Sequence, residues 1–227
     1  MQRAGQRSDA WLALLLVLLA AGAIVGALAA ASSEGARWLH YVCKPAATLV
    51  IIARAARGGA GAYRRWVLTG LWLSLVGDIC LMLPMDAFVP GLAAFLLAHL
   101  AYVMALRRGL RVGGLMVSVP LLAVYAVGNL AGLWPHLPGD LRVPVVAYTV
   151  VLAGMAALAL GRGLVPPAGE QGRARLAGVG AVLFVASDSL LAWDRFAGPL
   201  PWAIVGVLGS YYAAQWCIAG SVGFRRK

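Results

Sequence analysis

The chain has 227 residues, of which 62% are hydrophobic and 12% charged, with a net charge of +11 and a mean hydropathy of +0.85. Soluble proteins carry about 25% charged residues, so this composition excludes an ordinary soluble domain. The basic residues fall in short clusters between apolar runs, which excludes the continuous basic face that nucleic-acid binding requires. The whole of 1–227 reads as one all-α domain, a polytopic bundle of transmembrane helices.

Eight spans follow in chain order, roughly 10–31, 39–56, 66–84, 87–106, 113–132, 142–161, 174–192 and 199–222. The connectors RAARGGAGAYRR, LRRGLR, WPHLPGD, GRGLVPPAGEQGR and DRFAGP carry the expected breakers and charges. The first apolar run, about 22 residues, is longer than the 7–15 of a signal-peptide core, so an uncleaved helix is expected. With the N-terminus inside, one side holds Arg3, Arg7, Arg54, Arg57, Arg64, Arg65, Arg107, Arg108, Arg111, Arg162, Arg173, Arg175, Arg225, Arg226 and Lys227. The other side keeps Arg37, Arg142 and Arg195, and Lys44 falls within a span. Such a bias marks the richer side as cytoplasmic, which puts both termini there, in a bacterial inner membrane.

An internal similarity links SLVGDICLML (74–83) to FVASDSLLAW (184–193), and Tyr102 and Tyr212 each follow the aspartate by 24 residues. Read as a repeat, spans 1–4 and 5–8 are parallel halves related by an axis along the membrane normal. Asp78 and Asp188 would then be equivalent and face each other; chance similarity between Leu- and Ala-rich helices is the alternative.

The two aspartates are the first candidates for chemistry. A charge at mid-helix in lipid costs about 2.5–3.5 kcal/mol or more, and a helix carries that cost where the group serves a protected cavity. Paired carboxyls suit general acid/base work, one protonated and one ionised. A structural interhelical hydrogen bond, or an ion pair with Lys44, is the competing reading. Ser74 lies four residues before Asp78 on the same face and is expected to orient its carboxylate. Lys44 serves either as neutralising partner, as a phosphate ligand, or as a snorkelling interfacial residue. His99 lies near the middle of the fourth span. Tyr125 and Asn129 stand a turn apart in the fifth, Tyr148 in the sixth, and Tyr211, Tyr212 and Gln215 in the eighth. If these point inward, one polar pocket opens toward the outer face, with Asn129, Tyr148, Tyr211, Tyr212 and Gln215 as its lining.

Cys43, Cys80 and Cys217 sit in apolar stretches without a CxxC or a histidine cluster, so neither a disulfide nor a metal site is expected, and no cofactor motif is present. Glu34, Asp86, Asp140 and Asp194 read as solvated loop charges.

The order of motifs resembles the YhhN-like family. The residues that carry the likeness are Lys44-Pro45, GLWLSLVGD (70–78), GLAAFLLAHLAY (91–102), LFVASDSLLA (183–192) and YYAAQ (211–215), spread over about residues 40–220. The ordered set is far more specific than any one motif, and Ala46 stands where the family tends to have leucine. The resemblance implies an integral membrane lysoplasmalogenase, a hydrolase of the vinyl-ether bond of single-chain glycerophospholipids. Its products would be a fatty aldehyde and glycerophosphocholine or glycerophosphoethanolamine. In that reading Asp78 and Asp188 supply the acid and the base, His99 assists the proton relay and Lys44 holds the phosphate. The partners are then the lysophospholipid within the bilayer and the surrounding lipids, with no nucleic acid. A small proton-coupled transporter and a non-catalytic lipid-binding protein are the alternatives from other classes.

Overall fold

The computed structural model describes residues 2–83, 85 and 87–223, and side chains from Asp9 onward. The expectations for Asp86, Arg225, Arg226 and Lys227, and for the side chains of Arg3 and Arg7, lie outside the described residues.

Eight helices and no β-strand are found among the described residues: α1 (Gln2–Leu28), α2 (Glu34–Ala56), α3 (Ala62–Met82), α4 (Phe88–Leu106), α5 (Val112–Leu133), α6 (Arg142–Leu164), α7 (Gln171–Phe196) and α8 (Ala203–Gly220). Unbroken apolar runs become helices because only a helix satisfies its own backbone in hydrocarbon. Their outward faces stay apolar: Val17 is 62%, Val124 74% and Val143 78% exposed. A surface of that kind faces lipid, and the protein is a multi-pass integral membrane protein.

Seven helices are long and apolar enough to cross a bilayer; α2 is the exception by composition. Its polarity comes from Glu34, Arg37, Lys44 and Arg54. It nonetheless runs the length of α1, since Arg54 pairs with Asp9 at 3.4 Å near one end and His40 Nδ1 lies 2.8 Å from the Ala23 carbonyl near the other. The helix starts five residues before the apolar pattern does, because Ser33 caps it by accepting from the Ala36 N–H and Glu34 sits in its first turn. Lys44 is therefore near mid-helix, 7% exposed, and too deep to snorkel.

Small residues set how closely neighbouring helices approach. A Cβ on Gly70 would lie 2.2 Å from the Tyr102 ring, and one on Gly77 2.5 Å from the Phe95 ring, so α4 lays its aromatics against bare α3 backbone. Gly70→Ala is expected to destabilise the protein by about 1–3 kcal/mol through overpacking, read as a lower thermal midpoint in detergent.

The two halves pack by the same scheme. Within each, successive helices pair (α1–α2–α3–α4 and α5–α6–α7–α8), and between them α4 lies on α6 as α8 lies on α2. The bundle also gathers Arg54, Arg57, Arg64, Arg65, Arg107, Arg108, Arg111, Arg162, Arg173 and Arg175 at one end, with Arg37, Arg142 and Arg195 at the other.

Candidate active site

The first polar cluster joins α4, α6 and α7. Asp188 Oδ2 accepts a 2.5 Å hydrogen bond from the Tyr148 hydroxyl and lies 3.3 Å from His99 Nε2, which is 2.9 Å from the same hydroxyl. Three heavy atoms thus share protons within one small triangle. His99 is fully buried, with its ring edge-on to Phe184 at 4.6 Å and to Tyr148 at 5.3 Å.

Asp188 and Tyr148 line an apolar groove between α4, α5, α6 and α7, with His99 behind them. Leu92, Phe95, Leu122, Leu152 and Val185 are among its walls, and Asp188 is the one charged residue in its described lining. The Asp188 side chain keeps 12% of its surface exposed. Beginning at the next residue of α7, a hydrogen-bonded rim crosses from α5 to α7. Ser189 accepts from Tyr125 at 2.9 Å and from Asn129 at 3.3 Å, and Trp193 Nε1 donates to Asn129 Oδ1 at 2.7 Å.

The second cluster joins α2, α3 and α8. Asp78 Oδ2 accepts from Thr48 at 2.7 Å and from Tyr211 at 2.8 Å, and Lys44 Nζ stands 3.9 Å from Oδ1. Gln215 Nε2 donates to the Tyr211 hydroxyl at 3.3 Å, while its Oε1 accepts from Tyr102 at 2.7 Å. Tyr212 donates to the Lys44 carbonyl at 3.3 Å. Asp78 is 2% exposed and does not line the groove.

The two carboxylates do not meet. Among the described residues no hydrogen bond joins them and they share no partner. Phe184 packs edge-on against both His99 and Tyr211 (4.6 and 5.6 Å), and Phe95 packs against Tyr211 at 5.9 Å. The repeat explains the separation: each aspartate turns to the equivalent pair of neighbours, α2 and α8 for Asp78, α6 and α4 for Asp188.

Other expectations also need correction. Ser74 is fully buried but makes no hydrogen bond to Asp78, whose hydroxyl donors come from α2 and α8 instead. Lys44 is turned to Asp78 rather than to the groove. Asp188 likewise takes no hydrogen bond from the serines beside it, since Ser187 donates to the Val207 carbonyl and Ser189 joins the rim. The one polar pocket expected from the spans is two clusters: Asp188, His99 and Tyr148 in one, with Asn129 in the rim beside it, and Asp78, Lys44, Tyr211, Tyr212 and Gln215 in the other. Thr48 and Trp193 were not anticipated. For Thr48 the signal was present, since it lies four residues beyond Lys44 on the same helix face. Among the described residues no three His, Cys, Asp or Glu side chains converge as a metal site would require.

Fold and site together define a polytopic helical membrane protein with a partly buried carboxylate lining an apolar groove. The chain belongs to the YhhN family, whose model matches residues 39–222. It is 42% identical over 180 residues to the lysoplasmalogenase TMEM86B of Sus scrofa, covering 79% of this chain and 73% of that one. Against TMEM86B of Homo sapiens it is 44% identical over 157 residues, 69% of this chain and 62% of the relative. A lysoplasmalogenase of Mycobacterium tuberculosis is 35% identical over 204 residues, 85% of this chain and 74% of its own. No solved structure matches the chain.

Proposed function

We propose that this protein is a lysoplasmalogenase that hydrolyses the vinyl-ether bond of a lysophospholipid at Asp188. The observation that carries this reading is a single carboxylate, Asp188, opening into an otherwise uncharged apolar groove. The names of its relatives point to the same substrate class.

The chemistry follows from what a vinyl ether needs. A proton adds to the alkenyl carbon β to the ether oxygen, and the resulting positive charge is shared by the adjacent carbon and oxygen. Water adds to that carbon and releases its proton to a base; the hemiacetal then collapses to aldehyde and a glycerol hydroxyl, with one water consumed. Asp188 delivers the first proton and, once ionised, stabilises the oxocarbenium ion and accepts the proton of water. All its hydrogen bonds fall on Oδ2, leaving Oδ1 for the reacting atoms. His99 and Tyr148 hold that carboxylate and exchange protons with it. Asn129 and Ser189 at the rim meet the polar glycerol end, while the alkenyl chain lies along the Leu and Phe walls. The products are a fatty aldehyde and the glycerophospho-base.

Asp78 takes a different part from Asp188. Sealed against Lys44, Thr48 and Tyr211, it positions Tyr211 behind the Phe95–Phe184 wall and does not touch substrate. The basic end of the bundle faces the cytoplasm with both termini, α2 crosses as an eighth span, and residues 1–227 form a single transmembrane domain in a bacterial inner membrane.

The purified protein is expected to release aldehyde from a vinyl-ether lysophospholipid and none from its saturated alkyl-ether counterpart, which cannot be protonated on carbon. Equal consumption of both lipids would point to cleavage elsewhere in the molecule and remove this reading.

A further inference from the structure

A second cavity, of about 330 Å³, opens at the end of the bundle where the arginines collect, among the C-terminal ends of α4, α6 and α8 and the N-terminal ends of α3 and α7. Its lining includes Arg64, Arg107, Arg108, Arg162 and Arg173 against one acid, Glu170, which is engaged by Arg162. A bias in membrane topology requires arginines on this side but not their convergence on one cavity.

The cavity walls are held in place. The Gly59 N–H donates to the Gly223 carbonyl at 2.9 Å, tying the α2–α3 connector to the end of α8. The Tyr63 hydroxyl is hydrogen-bonded to Ser221 at 2.7 Å, and the Arg162 guanidinium lies 5.3 Å over the Tyr63 ring. The Nε atoms of Arg64 and Arg162 are buried without a hydrogen-bond partner among the described residues. Like charges gathered in a half-enclosed site repel unless an anion sits between them, and the guanidinium fork matches a phosphate group bidentately.

We propose that this arginine-lined cavity binds a phosphate-bearing anion, at the opposite end of the bundle from the Asp188 groove. A lipid headgroup of the adjacent leaflet and free phosphate share that chemistry, and the cavity lies where lipid phosphates reside.

The test follows the thermal midpoint of the purified protein in uncharged detergent at constant ionic strength. The additions are inorganic phosphate, short-chain phosphatidylglycerol, and short-chain phosphatidylcholine for comparison. A saturable rise with phosphatidylglycerol alone assigns a lipid headgroup; a rise with inorganic phosphate as well assigns the free anion. In either case Arg64→Gln and Arg173→Gln should each weaken the apparent affinity at least about tenfold. Arg107→Gln, an exposed position, serves the same purpose if either of these fails to fold. No saturable rise, an equal rise with phosphatidylcholine, or an affinity unchanged in the folded variants would overturn the proposal.

Discussion

Asp188→Asn is expected to lower turnover of a vinyl-ether lysophospholipid by about 10²–10⁴-fold, the range for loss of a positioned general acid/base, with KM little changed. Asparagine keeps the shape of the side chain and can still accept from Tyr148, so the fold and groove should survive. What it lacks is a transferable proton and a negative charge to face the oxocarbenium ion. Initial rates of aldehyde release, measured on variant protein that elutes and melts as wild type, check this. Asp78→Asn should lose less turnover, because that carboxylate is 2% exposed and reaches the groove only through Tyr211 and the Phe95–Phe184 wall. Equal losses in both variants would mean that the two carboxylates act as one unit after all.

The largest effect on stability is expected from Lys44→Met. Lys44 and Asp78 are both buried, and removing one partner strands the other charge, a loss of about 3–5 kcal/mol for such pairs. Combining Lys44→Met with Asp78→Asn removes both charges and should restore most of the thermal midpoint, since Thr48 and Tyr211 can still donate to the amide oxygen. Calorimetry or thermal melts in detergent on the three variants give the cycle directly. If Lys44→Met melted as wild type while raising KM for phosphate-bearing substrates only, Lys44 would be a headgroup ligand and not a charge partner of Asp78.

Much of the fold was legible because lipid imposes a simple grammar. Apolar runs, Arg clusters and breakers marked every helix, and the paired aspartate motifs indicated a repeat that the packing of α4 on α6 and α8 on α2 reproduces. The start of α2 was missed because a Ser33 cap and charged first turns carry no hydropathy signal, and that shift sets Lys44 near mid-helix, against the snorkelling alternative. The polar residues that make up the two clusters were also legible, since Asp, His and Lys inside apolar helices stand out. Their grouping was not. Depth along a helix follows from counting residues, but rotation about its axis depends on which neighbour packs where. The repeat suggested that Asp78 and Asp188 face each other, whereas its own symmetry turns each toward a different pair of helices. Ser74 illustrates the same limit: it shares a face with Asp78, yet the hydroxyls that reach the carboxylate, Thr48 and Tyr211, come from neighbouring helices.

The most direct test of Asp188-dependent carbon protonation is to run the hydrolysis in D2O and examine the released aldehyde by mass spectrometry. Authentic aldehyde is held in the same medium to correct for exchange. The proposed mechanism predicts one deuterium on the carbon next to the carbonyl in the wild-type product, formed at a rate that collapses in Asp188→Asn. Aldehyde without deuterium, or deuterated aldehyde formed just as fast by the folded Asp188→Asn protein, would contradict it.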